Sequence, residues 1–307
     1  MIFPAPIRIQ PPGKVVSNLP KRTSKLKLQD DVSAPPEIPS AATRGVLVDI
    51  GLNLTHDSFD EDREQVLQRA LNEGIRQMVV TGASIDGSED AVALANHHEC
   101  LYATVGIHPH HAEQTCNEAL TRFKKLSQGH KVKAIGETGL DFFRNFSPRD
   151  MQVRSFEQHI DIAAQLNLPM FLHERDAHPT FADVLRPHRE KVKDIVVHCF
   201  TGEKDALHAY LDLDCYIGIT GWICDERRGL HLTDLIRDIP ADRLMIETDA
   251  PYLLPRNIKP KPKSRRNEPH YLTRICEFVA DTLDIPYNDL ARQTTENARR
   301  FFDLPAP

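Results

Sequence analysis

No two of the six cysteines (Cys100, Cys116, Cys199, Cys215, Cys224, Cys276) form a C-x-x-C pair, so neither a redox dithiol nor a disulfide framework organises this chain. Scattered thiols of this kind point to a reducing, cytoplasmic location. No apolar run approaches the roughly 18 residues that a membrane span requires. The N-terminus lacks the apolar core of a secretory signal. No G-x-G-x-x-G follows the first apolar run, which leaves an open dinucleotide-binding sheet without its main support. An excess of positive charge is missing too. The chain carries 38 basic against 44 acidic residues, and residues 1–29 hold six of the bases and no acid, so the rest is more acidic still. A generally basic nucleic-acid-binding surface is excluded. Any affinity for phosphate has to come from a local patch or from a metal.

Residues 1–44 are rich in Pro, Ser and Lys and show no sustained periodicity. Such a segment cannot bury enough apolar surface to offset its ordering entropy. It is expected to be a disordered basic tail, with a targeting segment or a mis-assigned start as the alternatives. From Gly45 to Pro307 a different rhythm holds. Apolar, β-branched runs stand at 46–50, 77–81, 101–105, 132–136, 169–172, 194–198, 215–219 and 244–247. Helical stripes fill the gaps, such as Val66, Leu67, Ala70 and Leu71 closed by Gly74, and Val153, Phe156, Ile160, Ala163 and Ala164. Eight βα repeats with near-continuous apolar strands predict an α/β fold, a closed (β/α)8 TIM barrel. Thr294 to Asn297 with Phe301 and Phe302 read as a final helix that seals it.

In such a barrel the functional groups stand where the strands end. His108, His110 and His111 follow the third run, Glu137 and Asp141 the fourth, His173 the fifth, and His198 the sixth. The eighth ends in Glu247 and Asp249, which fall on one face if the strand continues through them. A buried carboxylate pair needs a cation, either an arginine or a metal. Imidazoles and carboxylates converging from four strands favour the metal, in the mixed ligation usual for hydrolytic centres.

Seven segments together resemble the TatD family of metal-dependent deoxyribonucleases, in the amidohydrolase-like barrel superfamily. They are Asp-Ile-Gly-Leu-Asn-Leu-Thr (49–55), Gly-Ile-His-Pro-His (106–110), Gly-Glu-Thr-Gly-Leu-Asp-Phe (136–142) and His-Cys-Phe-Thr-Gly (198–202). Gly-Ile-Thr-Gly-Trp-Ile-Cys-Asp-Glu-Arg-Arg-Gly (218–229), Glu-Thr-Asp-Ala-Pro-Tyr-Leu-Leu-Pro (247–255) and Ser-Arg-Arg-Asn-Glu-Pro (264–269) complete the set. The resemblance implies an amidohydrolase-like barrel over 45–307 that hydrolyses phosphodiesters. It implies metal binding by Glu137, His173, His198 and Asp249, with Glu137 and Asp249 catalytic. It further implies a 3′→5′ exonuclease acting as a monomer on single-stranded DNA or frayed ends, and on RNA as well. A metal-dependent acyl or amide hydrolase, such as an aminoacyl-tRNA deacylase, is the alternative on this scaffold, and a non-catalytic barrel the third reading.

Many members of the family open with Asp-x-His-x-His, whereas this chain has Asp49, Gly51 and Asn53, the pattern of TatD proper. Two ligands fewer leave positions for water and phosphate. That favours Mg²⁺, with Mn²⁺ or Zn²⁺ as alternatives. Residues 256–266 carry six bases and no acid directly after Asp249, and Arg144 and Arg175 follow other strands. His108, Asp141, Arg144, Arg175, Arg256, Arg265 and Arg266 are the candidate substrate contacts, while Trp222, Phe142 and Phe143 either stack on bases or pack the rim.

Overall fold

The computed structural model describes residues 44–306, and the tail expected over 1–44 lies, Arg44 apart, outside the described residues. Eight parallel strands follow one another around a single sheet in chain order. They are β1 (Leu47–Leu52), β2 (Ile75–Val80), β3 (Leu101–Val105), β4 (Val132–Asp141), β5 (Met170–Arg175), β6 (Ile195–Val197), β7 (Tyr216–Ile219) and β8 (Leu244–Ile246). The helices that cover them are α1 (Arg63–Asn72), α2 (Ile85–His97), α3 (Asn117–Leu126), α4 (Arg149–Leu166) and α5 (His178–Leu185). Then come α6 (Lys204–Asp212), α7 (Leu230–Leu235), α8 (Leu272–Leu283) and α9 (Tyr287–Phe302). The architecture is the (β/α)8 barrel that the rhythm predicts.

Local rules explain the joints. In α1 the residues Val66, Leu67 and Ala70 are buried, and Gly74 ends the turn at φ +89°, where a side chain is disfavoured. In α4 the apolar stripe carries three buried polar residues, Gln152, Ser155 and His159. Gln152 Oε1 accepts the Asp141 N–H at 2.8 Å, and its amide donates to Asp141 O and Ser147 O. His159 Nε2 accepts the Ile107 N–H at 3.2 Å. One helix thus braces the ends of β3 and β4, which carry site residues.

Both ends of the barrel are finished by side chains. Below, Phe301 and Phe302 of α9 pack with Val48, Ile50, Val79, Tyr102 and Phe171 of the strands in one buried cluster. Asn297 donates to Ala241 O and Leu244 O at 2.8 Å each, and Thr295 to Val46 O at 2.8 Å. The seal therefore sits at the N-terminal ends of the strands, opposite the mouth. Above, β1 is joined to the segment that follows β8. Asp249 N–H donates to Gly51 O at 2.9 Å, Asn53 N–H to Ala250 O at 2.7 Å, and Thr248 Oγ1 to Asp49 Oδ2 at 2.5 Å. Asp49 is fully buried under Thr248, so it fastens the closing seam and does not line the mouth.

The strand limits depart from the apolar runs where site residues stand. β4 continues to Asp141 and β5 to Arg175, pairing Gly139 with His173 and Asp141 with Arg175. Gly136 and Gly139 allow this at φ +147° and +137°. A Cβ there would stand 2.1 Å from Phe171 O and 2.0 Å from His173 O. Conversely β6 stops at Val197 and β8 at Ile246, so His198 and Glu247 are loop residues.

Candidate active site

Three imidazoles converge on a single oxygen, Glu137 Oε1. His198 Nε2 lies 2.8 Å from it, His173 Nδ1 3.0 Å and His108 Nε2 3.4 Å. Glu137 projects from β4 and His173 from β5, while His198 follows β6 and His108 follows β3. Asp249, held in a left-handed conformation at φ +53°, completes the mouth after β8. Asn53 donates to its Oδ1 at 3.0 Å, and the other carboxylate oxygen accepts no hydrogen bond from a described residue. These groups line a cavity of about 320 Å³, together with His110, Glu174, Arg175 and Tyr252.

The buried carboxylates and imidazoles of the site shift one another's protonation. Burial alone would raise the Glu137 carboxyl, yet the facing imidazoles of His198 and His108 hold it well below its usual range. Burial would lower His198, but Glu137 and Glu247 raise it well above an ordinary imidazole. His173 is likewise raised, against its burial, by Asp141 and Glu137. Burial, helped by the negative charge of Glu137 and Glu247, pushes the Asp249 carboxyl up to about 7 against the pull of His198 and the Asn53 hydrogen bond.

The donor set fits a divalent ion, and hydrogen bonding shows which imidazoles suit it. His108, Glu137 and His173 offer ligand atoms within 4.8 Å of one another. However, the His110 N–H donates to His108 Nδ1 at 3.1 Å, so a neutral His108 carries its proton on Nε2. Burial lowers this imidazole to about 4, which keeps it neutral. His108 is therefore a hydrogen-bond donor into the cavity. His173 and His198 are differently placed, each with a carboxylate behind the ring. Glu247 Oε2 lies 3.4 Å from His198 Nδ1, and Asp141 Oδ2 lies 3.6 Å from His173 Nε2. His198 Nδ1, His173 Nε2 and Glu247 Oε2 are buried without a hydrogen-bond partner. Each faces a charged partner at 3.4–3.6 Å. A carboxylate behind a ligating histidine fixes its tautomer and raises its basicity. Glu137, His173 and His198, with Asp249 across the cavity, are thus equipped to hold a metal.

The chain matches the model of the TatD related DNase family over residues 48–303. It belongs to the TatD family. A 3′-5′ ssDNA/RNA exonuclease TatD from Erwinia tasmaniensis is 46% identical over 259 residues, 84% of this chain and 100% of that protein. The protein of the same name from Pectobacterium parmentieri is 48% identical over the same shares. Among solved structures, a TatD homologue from Escherichia coli is 27% identical with a TM-score of 0.77, covering 84% of this chain and 98% of that one.

The remaining candidates of this TatD-family chain are distributed around the mouth. Arg175 lines the cavity, its guanidinium 5.0 Å from the Phe143 ring centroid and 5.2 Å from that of Trp222. Arg144 is exposed beside Phe143, and its N–H donates to Asp141 Oδ1 at 2.7 Å. Asp141 is a buried hub bonded to His110 Nε2 at 2.6 Å, and those histidines pull its carboxyl down against burial. Arg256 and Arg265 lie on a neighbouring groove, not on the cavity. Arg266 is committed elsewhere. It makes 2.7 Å bonds to Asp62 and to Glu268, so its guanidinium clamps the loop to α1 and is not available to phosphate. Phe142 packs against the core, whereas Phe143 is 55% exposed.

Two residues of the mouth, Tyr252 and His110, carried no assigned role in the sequence reading, and Glu247 was read there only as half of a carboxylate pair. Tyr252, half exposed, edges the cavity three residues after Asp249. His110 packs edge-on to Phe146 at 4.7 Å. Glu247 supports His198 from beneath. Tyr252 and His110 could have been picked up from their strand-end position alone, but the support by Glu247 depends on His198, 49 residues away in the chain, and leaves no local pattern.

Proposed function

We propose that the chain is a divalent-metal-dependent 3′→5′ exonuclease of single-stranded DNA and RNA, including frayed ends, with Mg²⁺ the working ion ahead of Mn²⁺ and Zn²⁺. The observation that carries this is the convergence of Glu137, His173 and His198 in a cavity faced by Asp249. The names of relatives that this chain matches over their whole length supply the substrate class and polarity. Glu137, His173 and His198 would hold the ion, which would supply the charge to polarise a phosphoryl oxygen and acidify water.

The protein's own groups then divide the work. Asp249 accepts a proton from the attacking water, using the oxygen that Asn53 leaves free. Burial pushes its carboxyl up, which makes it a stronger base than an ordinary carboxylate. His108 donates through Nε2 to the substrate phosphate, and Arg175 balances the charge from the cavity wall. Glu247 and Asp141 keep His198 and His173 turned toward Glu137. Burial of these groups keeps bulk water from screening them.

A monomer in the cytoplasm is the working form in this reading. One chain supplies the whole cavity, and all six cysteines are free thiols. Among the described residues no helix is long and apolar enough to cross a membrane. The barrel is the catalytic domain. The test is hydrolysis of 5′-labelled single-stranded DNA and RNA with each metal, beside an aminoacyl-tRNA. The expected result is a ladder shortened from the 3′ end, lost with EDTA and in Glu137→Gln. Hydrolysis of the aminoacyl ester alone, or of nothing with any ion, overturns the reading.

A further inference from the structure

A second hollow, about 670 Å³ against about 320 Å³ for the catalytic cavity, opens beside the mouth. Its walls are the segment 221–228 after β7 and the loop 253–265 after β8. In a chain of net charge −6, it is lined by six bases (Arg227, Arg228, Arg256, Lys259, Lys261, Arg265) and one acid, Asp225. Asp225 is buried and holds three guanidiniums. Arg227 and Arg228 each bond to it at 3.1 Å, and Arg256 lies at 3.5 Å, with a second pairing to Glu226. Lys259, Lys261 and Arg265 are exposed and make no ion pair with a described residue. Between the charges lie flat or apolar surfaces, from Trp222, Leu253, Leu254, Ile258 and Pro262. Prolines at 255, 260 and 262 restrict the loop, so the bases are presented from a stiffened frame.

The two hollows share a wall. Arg175 lines the catalytic cavity, and its guanidinium stacks on Trp222, which lines the groove. Arg228 covers the Trp222 ring too, at 4.2 Å. A strand leaving the metal-binding cluster past Arg175 meets alternating arginine and aromatic faces, then unpaired lysines. Backbone-tracking bases with stacking faces are what a single strand needs for grip without sequence preference.

Resting on the exonuclease reading, we infer that this groove is the track for the nucleotides on the 5′ side of the scissile bond. The catalytic cavity takes the terminal residue, and the groove holds the strand that follows it, so that a long strand is gripped better than a short one. The occupant is a single-stranded polyanion, and paired DNA and RNA substrates tell which sugar it prefers.

The experiment compares full-length wild type with Lys259→Gln/Lys261→Gln/Arg265→Gln on dT12, rU12 and their trinucleotides. In the wild type kcat/KM is higher for the 12-mers. In the triple variant this length advantage should fall at least about tenfold. The salt dependence of KM for the 12-mer should flatten by up to roughly two log–log units, at about 0.7 per lost contact. Binding of 5′-labelled dT12 in EDTA, followed by fluorescence anisotropy, should weaken by a similar factor. An unchanged length ratio, including an equal loss on both lengths, overturns the track, as does unchanged anisotropy. If the wild type cuts neither length with any metal, the exonuclease reading fails, and the anisotropy still decides whether the groove binds a strand.

Discussion

Glu247→Gln isolates the carboxylate behind His198. Glu247 is fully buried, its Oε1 accepts the Cys199 N–H at 2.5 Å, and its Oε2 faces His198 Nδ1 at 3.4 Å. Two glycines make room for it. A Cβ on Gly51 would stand 2.3 Å from Oε2, and one on Gly218 2.7 Å from Oε1. Glutamine fits the same space and keeps the Cys199 bond through its carbonyl oxygen. Its NH₂ then faces His198, so Nδ1 has to accept a hydrogen bond and the ring proton moves to Nε2. That is the nitrogen 2.8 Å from Glu137, and a protonated nitrogen has no lone pair for a metal. Loss of such a partner typically costs 10–100-fold in metal affinity, or about 1.4–2.7 kcal/mol at 1.36 kcal/mol per tenfold. Mn²⁺ titration by calorimetry reads the change, and circular dichroism checks that the barrel is intact. Activity should return in part at saturating metal. A folded variant with Kd within twofold of wild type would refute the claim that Glu247 sets the His198 tautomer.

Asp249→Asn should lower turnover at least about a hundredfold, as loss of a general base does, with Tm close to wild type; near-normal turnover removes Asp249 from the chemistry. The cluster of Asp62, Glu268, Arg69 and Arg266 sets an acid limit. Burial would raise the Glu268 carboxyl, but His270, Arg69 and Arg266 hold it down at about 2, and Arg266 with Arg69 lowers Asp62. A depressed carboxylate stabilises the fold above its unfolded pKa, and that contribution disappears as pH falls through the folded value. Stability should therefore drop between about pH 4.5 and 2, and urea melts of Glu268→Gln should show a flatter dependence over that window. A chain cut to residues 44–307, which keeps the Arg44 pairs to Glu73 and Glu277, should match full length in Tm and in nuclease activity. A fall of more than a few degrees would show that the removed residues contribute to the barrel.

The barrel was legible because each of its eight strands is buried and so written as a short apolar run. Its candidate site could be proposed because Glu137, His173, His198 and Asp249 each stand where such a run ends. What could not be read is what depends on partners distant in the chain. Arg266 belongs to the same basic run as Lys261 and Arg265, yet it pairs with Asp62, 204 residues away. Strand alternation places Glu247 and Asp249 on one face. The strand stops at Ile246, and the left-handed turn at Asp249 separates them, one beneath His198 and one in the mouth. Gly51 has the same explanation. The pattern shows a missing ligand, whereas the structure shows a space filled by Glu247 Oε2 and the Phe171 ring. Histidine cannot be restored there without displacing the support of His198.

The seal at the foot of the barrel bears on how the protein is made. A ribosome makes β1 long before Phe301 and Phe302, which cover the underside of Val48 and Ile50. Until those two rings arrive, the nascent polypeptide holds the lower layer of its interior open to water, and the seam from Asp49 to Thr248 spans 199 residues. The barrel thus closes only once α9 has been made. A premature stop just before Phe301 should discard the whole enzyme, although every group of the catalytic mouth has already been synthesised.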